Sequence, residues 1–343
     1  MMDRRTAVRI IGTTSVSSLL ALITACKRKR SPSGVINSSA ADRPGQQGVA
    51  ALMESVKLPG GRVVEVLLGG DPGGYPLVLH HGTPGDMTLY ADWHALCRDR
   101  GLRLIGASRP GYAESSRMPH RSVADAAADI AAILDWLGHK SFVTMGWSGG
   151  GPHALACAAL LPRRCVAAAT LAGFGAYGED LDVLAGMALE NVAEFGAAIK
   201  GEETLRRWLN ENATVYRSIT GREIAEALGG LVPEVDKRAL IGDFADHLAA
   251  VFRRSLVHGF DGWIDDDLAL VRPWGFKLGE IGVPVAVWQG ELDLMVPLAH
   301  GRWLLEKIPG ATRHIVPGQG HISLAVNFRP EILDDLRSRT QNR

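Results

Sequence analysis

The sequence predicts an α/β protein: a mostly parallel sheet covered by helices on both faces, with a helical segment inserted late in the chain. Three observations carry this expectation. Short, uninterrupted apolar runs alternate with stretches of helical periodicity, the pattern of a sheet buried on both faces. The alternation stops at about Phe174 and resumes only after Gly279. The 40 glycines among 343 residues have no three-residue period, so they mark tight turns and not a collagen-like repeat.

The apolar share of 46% and charged share of 22% are those of a globular chain, which excludes overall disorder, a coiled coil and a multi-span membrane protein. The formal net charge of zero is unevenly spread. Residues 1–30 hold Arg4, Arg5, Arg9, Lys27, Arg28, Lys29 and Arg30 against Asp3 alone, so the remainder is acidic and offers no basic surface to nucleic acid. Ile10 to Ala25 is uncharged and would make roughly 24 Å of helix, short of a hydrocarbon core of about 30 Å. Residues 1–26 therefore read as a signal peptide. Ile23-Thr24-Ala25-Cys26 resembles the lipobox of bacterial lipoproteins, which implies lipidation at Cys26 and a place in the bacterial cell envelope. Arg4-Arg5-Thr6-Ala7-Val8-Arg9 resembles a twin-arginine export signal, departing from it at the alanine. Residues 27–52 read as a flexible tether. Translation from Met53 would instead give a cytoplasmic protein. Membrane contact is expected only through the lipid anchor.

The core is expected over residues 53–173 and 280–343. Val63–Leu68 reads as a strand, and Gly69–Gly74 as a turn that neither helix nor sheet tolerates. Leu77–His80 is a short apolar strand, and Asp86 to Arg100 has Leu89, Trp93, Leu96 and Cys97 at helical spacing. Leu102–Ala107, Phe142–Trp147 and Val166–Leu171 read as further buried strands, separated by helices over Val123–Leu137 and Gly149–Leu161. Residues 174–279 read as a helical lid, since an insertion of roughly 100 residues between two strands of one sheet is a lid more naturally than an independent domain. Asp265-Asp266-Asp267 within it reads as a solvated helix start and not a cation site. Val283–Gln289 and Thr312–Val316 are the last strands, flanking a helix over Leu298–Lys307. The final helix, His321 to Arg337, is expected to break or restart at Pro330. Cys97, Cys157 and Cys165 are an odd set without CxxC spacing and read as buried thiols.

Four motifs follow strand ends. Gly146-Trp147-Ser148-Gly149-Gly150 matches G-x-S-x-G between a strand and a helix, a sharp turn that would project Ser148 and aim helix N–H groups at developing negative charge. His81-Gly82-Thr83-Pro84-Gly85 can direct the Thr83 N–H toward the same space as that of Gly149, two donors for an oxyanion hole. His80 and His81 point to opposite faces of a strand, and no further ligand completes a metal spacing, so no metal is expected. Asp293 in Gly290–Pro297 is the candidate to orient a histidine, with Glu291 two residues away as its rival. His321, in Gly318-Gln319-Gly320-His321, completes the chain order Ser, Asp, His.

With these motifs in this order, the sequence resembles an α/β-hydrolase fold protein from about Val63 to Leu336. HGTPG, Ser108-Arg109-Pro110-Gly111-Tyr112, GWSGG, GELD…VP and GQGH all stand at family-like spacing. The resemblance implies a serine hydrolase acting on a small or medium carboxylic ester through an acyl-serine. Ser148 would be the nucleophile, His321 the base and Asp293 its orienter, with no cofactor. It implies an architectural role for Arg109, and the serine at 148 disfavours the dehalogenases and epoxide hydrolases of this fold, which use aspartate. Trp147, Trp208, Phe260, Trp263, Trp274 and Phe276 are candidate substrate contacts. GWSGG and the lid also resemble proline iminopeptidases, an aminopeptidase reading that needs acidic lid residues such as Glu179, Asp180, Asp182, Glu202 or Glu203. A third reading is a non-catalytic ligand sensor that keeps the three residues.

Overall fold

The computed structural model describes residues 51–341. The signal peptide, Cys26 and nearly all of the expected tether lie outside the described residues. Eight strands form one sheet: β1 (Leu52–Lys57), β2 (Val63–Gly70), β3 (Tyr75–His80), β4 (Leu102–Ala107), β5 (Phe142–Trp147), β6 (Cys165–Leu171), β7 (Val285–Gly290) and β8 (Thr312–Val316), in the order β1-β2-β4-β3-β5-β6-β7-β8. The six strands from β4 to β8 along the sheet run parallel, while β1 and β2 pair antiparallel. β1 was not expected from its sequence. It begins where the tether was expected to end, exposes Leu52 and Met53, and buries Val56 at the sheet edge.

Between the strands lie α1 (His94–Arg98), α2 (Asp125–Leu137) and α3 (Gly151–Leu160). The helix expected over 86–100 starts as a 3₁₀ segment, Met87–Trp93, capped by the Asp86 side chain, which accepts from the Thr88 N–H at 2.7 Å. Between β6 and β7 come α4 (Leu189–Lys200), α5 (Glu202–Asn212), α6 (Gly221–Ala227), α7 (Glu234–Ala239), α8 (Gly242–Ser255) and α9 (Asp261–Leu270). The chain closes with α10 (Leu298–Lys307), α11 (His321–Asn327) and α12 (Arg329–Ser338). Pro330 occupies the first turn of α12, where its missing N–H costs nothing, so the expected break is a restart.

Strand alternation explains why both sheet faces need cover. Val78 of β3, Ile105 of β4 and Ala168 of β6 enter one apolar cluster with Ile130 and Ile133 of α2 and Leu155 of α3. Their neighbours Leu77, Leu79, Leu104, Ala167 and Ala169 enter the other, with Cys97 of α1 and Ile332 and Leu336 of α12. The insertion joins both: Phe195 and Leu205 pack into the first cluster, Ile224 and Leu248 into the second. Among the described residues, no helix is long and apolar enough to cross a membrane. Cys97, Cys157 and Cys165 are buried thiols.

Candidate active site

β3, β5, β7 and β8 end on the same edge of the parallel sheet, so the loops that follow them converge there. β5 runs straight into a 3₁₀ turn, Ser148–Gly150, and then α3. Ser148 has φ +57°, a left-handed conformation that costs a residue with a Cβ about 1–2 kcal/mol. Close approach forces the two flanking glycines. A Cβ at Gly146 would stand 2.0 Å from the Gly150 carbonyl oxygen, and one at Gly150 would stand 2.3 Å from that of His80.

His321 is the first residue of α11 and Asp293 lies in the loop after β7. The His321 Nδ1 is 2.8 Å from Asp293 Oδ2. Asp293 is itself fixed: its Oδ1 accepts from the N–H groups of Met295 at 2.9 Å and Val296 at 2.8 Å, and Gln289 Nε2 donates to Oδ2 at 3.3 Å. Glu291 is exposed and accepts from the Gly318 N–H at 3.3 Å instead, so it is Asp293 that stands beside the imidazole. Burial disfavours a charged His321, but the nearby charge and hydrogen bond of Asp293, with a further contribution from Asp236, raise its pKa above the ordinary 6.5. The Trp147 ring stacks beside the imidazole with centroids 5.6 Å apart.

The HGTPG turn lies over the serine. A Cβ on Gly82 would be 3.5 Å from the Ser148 Cβ, and one on Gly149 would be 2.5 Å from Thr83 Oγ1, so Thr83 and Gly149 are direct neighbours. A buried network holds this turn. Thr83 Oγ1 donates to Asp266 Oδ2 at 2.8 Å, and Tyr112 donates to the same oxygen at 2.9 Å. Arg109 binds Asp266 and also donates to the carbonyls of His81 and Gly82. Arg121 meets Asp266 Oδ1 at 2.7 Å. Burial alone would raise the Asp266 pKa, but the two guanidinium groups hold it well below the usual carboxylate range. His81 of the turn and His80 at the end of β3 are structural: the Arg109 N–H donates to His81 Nε2 at 3.0 Å, and burial pushes His80 down to about 3.

Asp265-Asp266-Asp267 is therefore not a solvated helix start. These residues are 3%, 0% and 0% exposed, because α9 runs through the interior; Asp265 and Asp266 meet guanidinium groups there, whereas neither Asp267 oxygen accepts a hydrogen bond. Asp265 pairs with Arg117, and the buried carboxyls of Asp267 and Glu194 of α4 face each other.

One cavity brings the converging loops together. Gly82, Thr83, Trp147, Ser148 and His321 line it with Pro84, Leu89, Met295, Ile322, Leu228 and, from α8, Leu248, Val251 and Phe252. Of the aromatic contacts expected from the sequence, Trp147 is on this wall. Trp208, Phe260, Trp263, Trp274 and Phe276 are elsewhere, packed into or against the helix core. Trp263 and Trp274 also have satisfied indole N–H groups, donating to Glu194 Oε1 at 2.6 Å and to the Leu270 carbonyl at 3.3 Å. Sequence reasoning missed Asp266 and the α8 residues. Three aspartates inside the apolar run Trp263 to Leu270 were a legible sign of burial. The apolar face of α8 carried no sign of which cavity it would meet.

The family model for the alpha/beta hydrolase fold matches residues 75–228. A 118-residue stretch is 35% identical to the dihydrolipoyllysine-residue acetyltransferase component of the acetoin cleaving system of Pseudomonas putida; it takes in 34% of this chain but only 31% of that relative's length. An uncharacterized hydrolase of Bacillus subtilis is 28% identical over 275 residues, 73% of this chain and 85% of its own. Among solved structures, a thermophilic esterase from Thermogutta terrifontis superposes with a TM-score of 0.60 at 20% identity, covering 85% of this chain and 98% of its own.

Proposed function

Since the chain has the α/β-hydrolase fold, we propose that it is a serine hydrolase cleaving small or medium carboxylic esters through an acyl-serine. The observation that carries this reading is one cavity lined by Ser148 at a strained strand–helix turn and by His321, whose other face meets Asp293 at 2.8 Å. With Nδ1 turned to Asp293, Nε2 is the nitrogen left to take the serine proton. Ser148 Oγ attacks the ester carbonyl as His321 accepts its proton. The carbonyl oxygen becomes an oxyanion beside the N–H groups of Thr83 and Gly149, donors that each contribute about 10²–10³ in rate in comparable sites. Collapse of this intermediate expels the alcohol, which takes the proton back from His321. Water then attacks the acyl-serine by the same route in reverse and releases the acid.

The lining of the cavity supports an apolar acyl group. Apart from His321 it presents no ionisable side chain, and Leu228, Leu248, Val251 and Phe252 come from the helical insertion, which acts as a lid in this proposal. The same lining counts against an aminopeptidase, which needs a carboxylate for the substrate amine. Asp180 is engaged by Trp303 and Lys307, Glu202 by Arg206 and Glu203 by Arg207; Glu179 and Asp182 are exposed, and none of the five lines the cavity. An envelope location through lipidated Cys26 completes the proposal.

Labelling with a fluorophosphonate probe tests it, followed by turnover of short acyl esters against a proline arylamide. Ser148→Ala is expected to lose labelling and to reduce turnover by about 10⁶ while remaining folded. Folded wild-type protein that takes no label would favour the sensor reading, and faster arylamide cleavage would favour the aminopeptidase.

A further inference from the structure

The loop that carries His321 is held from outside the sheet. α7 belongs to the insertion, and its first turn, Glu234-Val235-Asp236, follows Pro233. Among so many surface charges in Pro233–Arg238, Asp236 is fully buried. Its two oxygens meet the N-terminus of α11: Oδ2 accepts from the His321 N–H and Oδ1 from the Ser323 N–H, both at 2.8 Å. A helix leaves its first N–H groups unpaired, and here a carboxylate from another element satisfies two of them. Ser323 Oγ accepts the N–H of Gly320 at 2.8 Å and completes the seal.

Gly320 is shaped to this carboxylate. A Cβ at that position would stand 2.5 Å from both Asp236 oxygens, so any side chain there would push the carboxylate off the helix end. The glycine beside His321 thus does more than free the loop to turn.

We propose that Asp236 is a positioning residue for the His321 base, a latch through which the helical insertion sets both the placement and the charge of the imidazole. The proposal rests on the serine-hydrolase reading for its effect on turnover, but not for its effect on the imidazole itself. Two carboxylates act on the charge of His321: Asp293, from the loop after β7, touches the ring, and Asp236, from α7, holds the backbone. Asp236 makes no contact with the ring nitrogens, so it acts through the backbone it fixes and through its field. Any displacement of α7 would move the backbone N–H of the residue that must accept the serine proton, and reactions of this kind lose about 10²-fold for misplacements of 1 Å.

The experiment uses the full chain carrying ¹³C-labelled histidine, with His321→Gln to identify the resonance. The imidazole titration and the pH profile of ester turnover are recorded for wild type, Asp236→Asn and Gly320→Ala. Asp236→Asn removes a negative charge near the imidazolium. Its His321 titration is expected to move to lower pH, and the acid limb of kcat/KM to move with it. kcat is expected to fall about tenfold to a hundredfold with KM nearly unchanged. Gly320→Ala, which keeps the carboxylate but pushes it off the helix end, is expected to lower kcat likewise. An unmoved titration and an unmoved acid limb in Asp236→Asn would overturn the latch, whatever the enzyme does. If wild type proves inert toward esters and probe alike, the hydrolase reading fails, while the titration still decides whether Asp236 governs His321.

Discussion

Two carboxylates separated by one residue compete for the histidine in the loop after β7, and their surroundings separate them. Asp293 is 3% exposed, with its Oδ1 tied to two backbone N–H groups so that Oδ2 is aimed at the ring; Glu291 lies in solvent. Asp293→Asn would preserve the shape and present an amide that favours the wrong imidazole tautomer. Its kcat is expected to fall by about 10⁴, with Glu291→Gln close to wild type; steady-state kinetics on a short ester checks the pair. The reverse ranking would reassign the orienting acid. Both candidates were legible in Gly290–Pro297, but the choice was not, since it depends on which backbone N–H groups the loop folds onto a side chain.

At the scale of elements, α9 departs most from its sequence reading. Asp261 to Leu270 has acidic residues in its interior, which suggested a wet surface, yet the helix is buried along most of its length. Charge could enter the core because Arg109, Arg121 and Arg117 come from the loop region between β4 and α2, distant in sequence, to meet it. Removing one partner from such a set leaves charges without a counter-ion, so Asp266→Ala is expected to cost about 3–5 kcal/mol in urea denaturation. It should also impair turnover, because Thr83 loses the acceptor that steadies the HGTPG turn. A stability loss below about 1 kcal/mol would show that the network does not anchor the turn. The aromatic residues of the insertion failed as pocket candidates for a related reason: helical periodicity says which residues face inward, but not whether inward means a core or a cavity.

For the whole molecule, the buried pair of Glu194 and Asp267 makes stability depend on pH. Burial pushes Glu194 up to about 7, and burial together with the Glu194 charge raises Asp267 as well. A carboxyl whose pKa is higher in the folded chain favours folding while protonated. That contribution is complete below about 4.5, the ordinary glutamate value, and is lost as pH rises through about 7. Melting temperatures measured from pH 5 to pH 8 should therefore fall, and Glu194→Gln should flatten the decline; an equal slope in the variant would count against the pair. The alternation of strands and helices, the strand-end position of each motif and the order Ser148, Asp293, His321 were determined by the sequence alone, because local periodicity and turn chemistry act over a few residues. Only the tertiary structure decided that Asp293 and not Glu291 meets His321, that α8 and not the tryptophans of the insertion walls the cavity, and that Asp236 closes on the histidine helix. Those contacts join residues far apart along the chain, and their geometry is set by how helices of the insertion pack on the sheet, which no local pattern encodes.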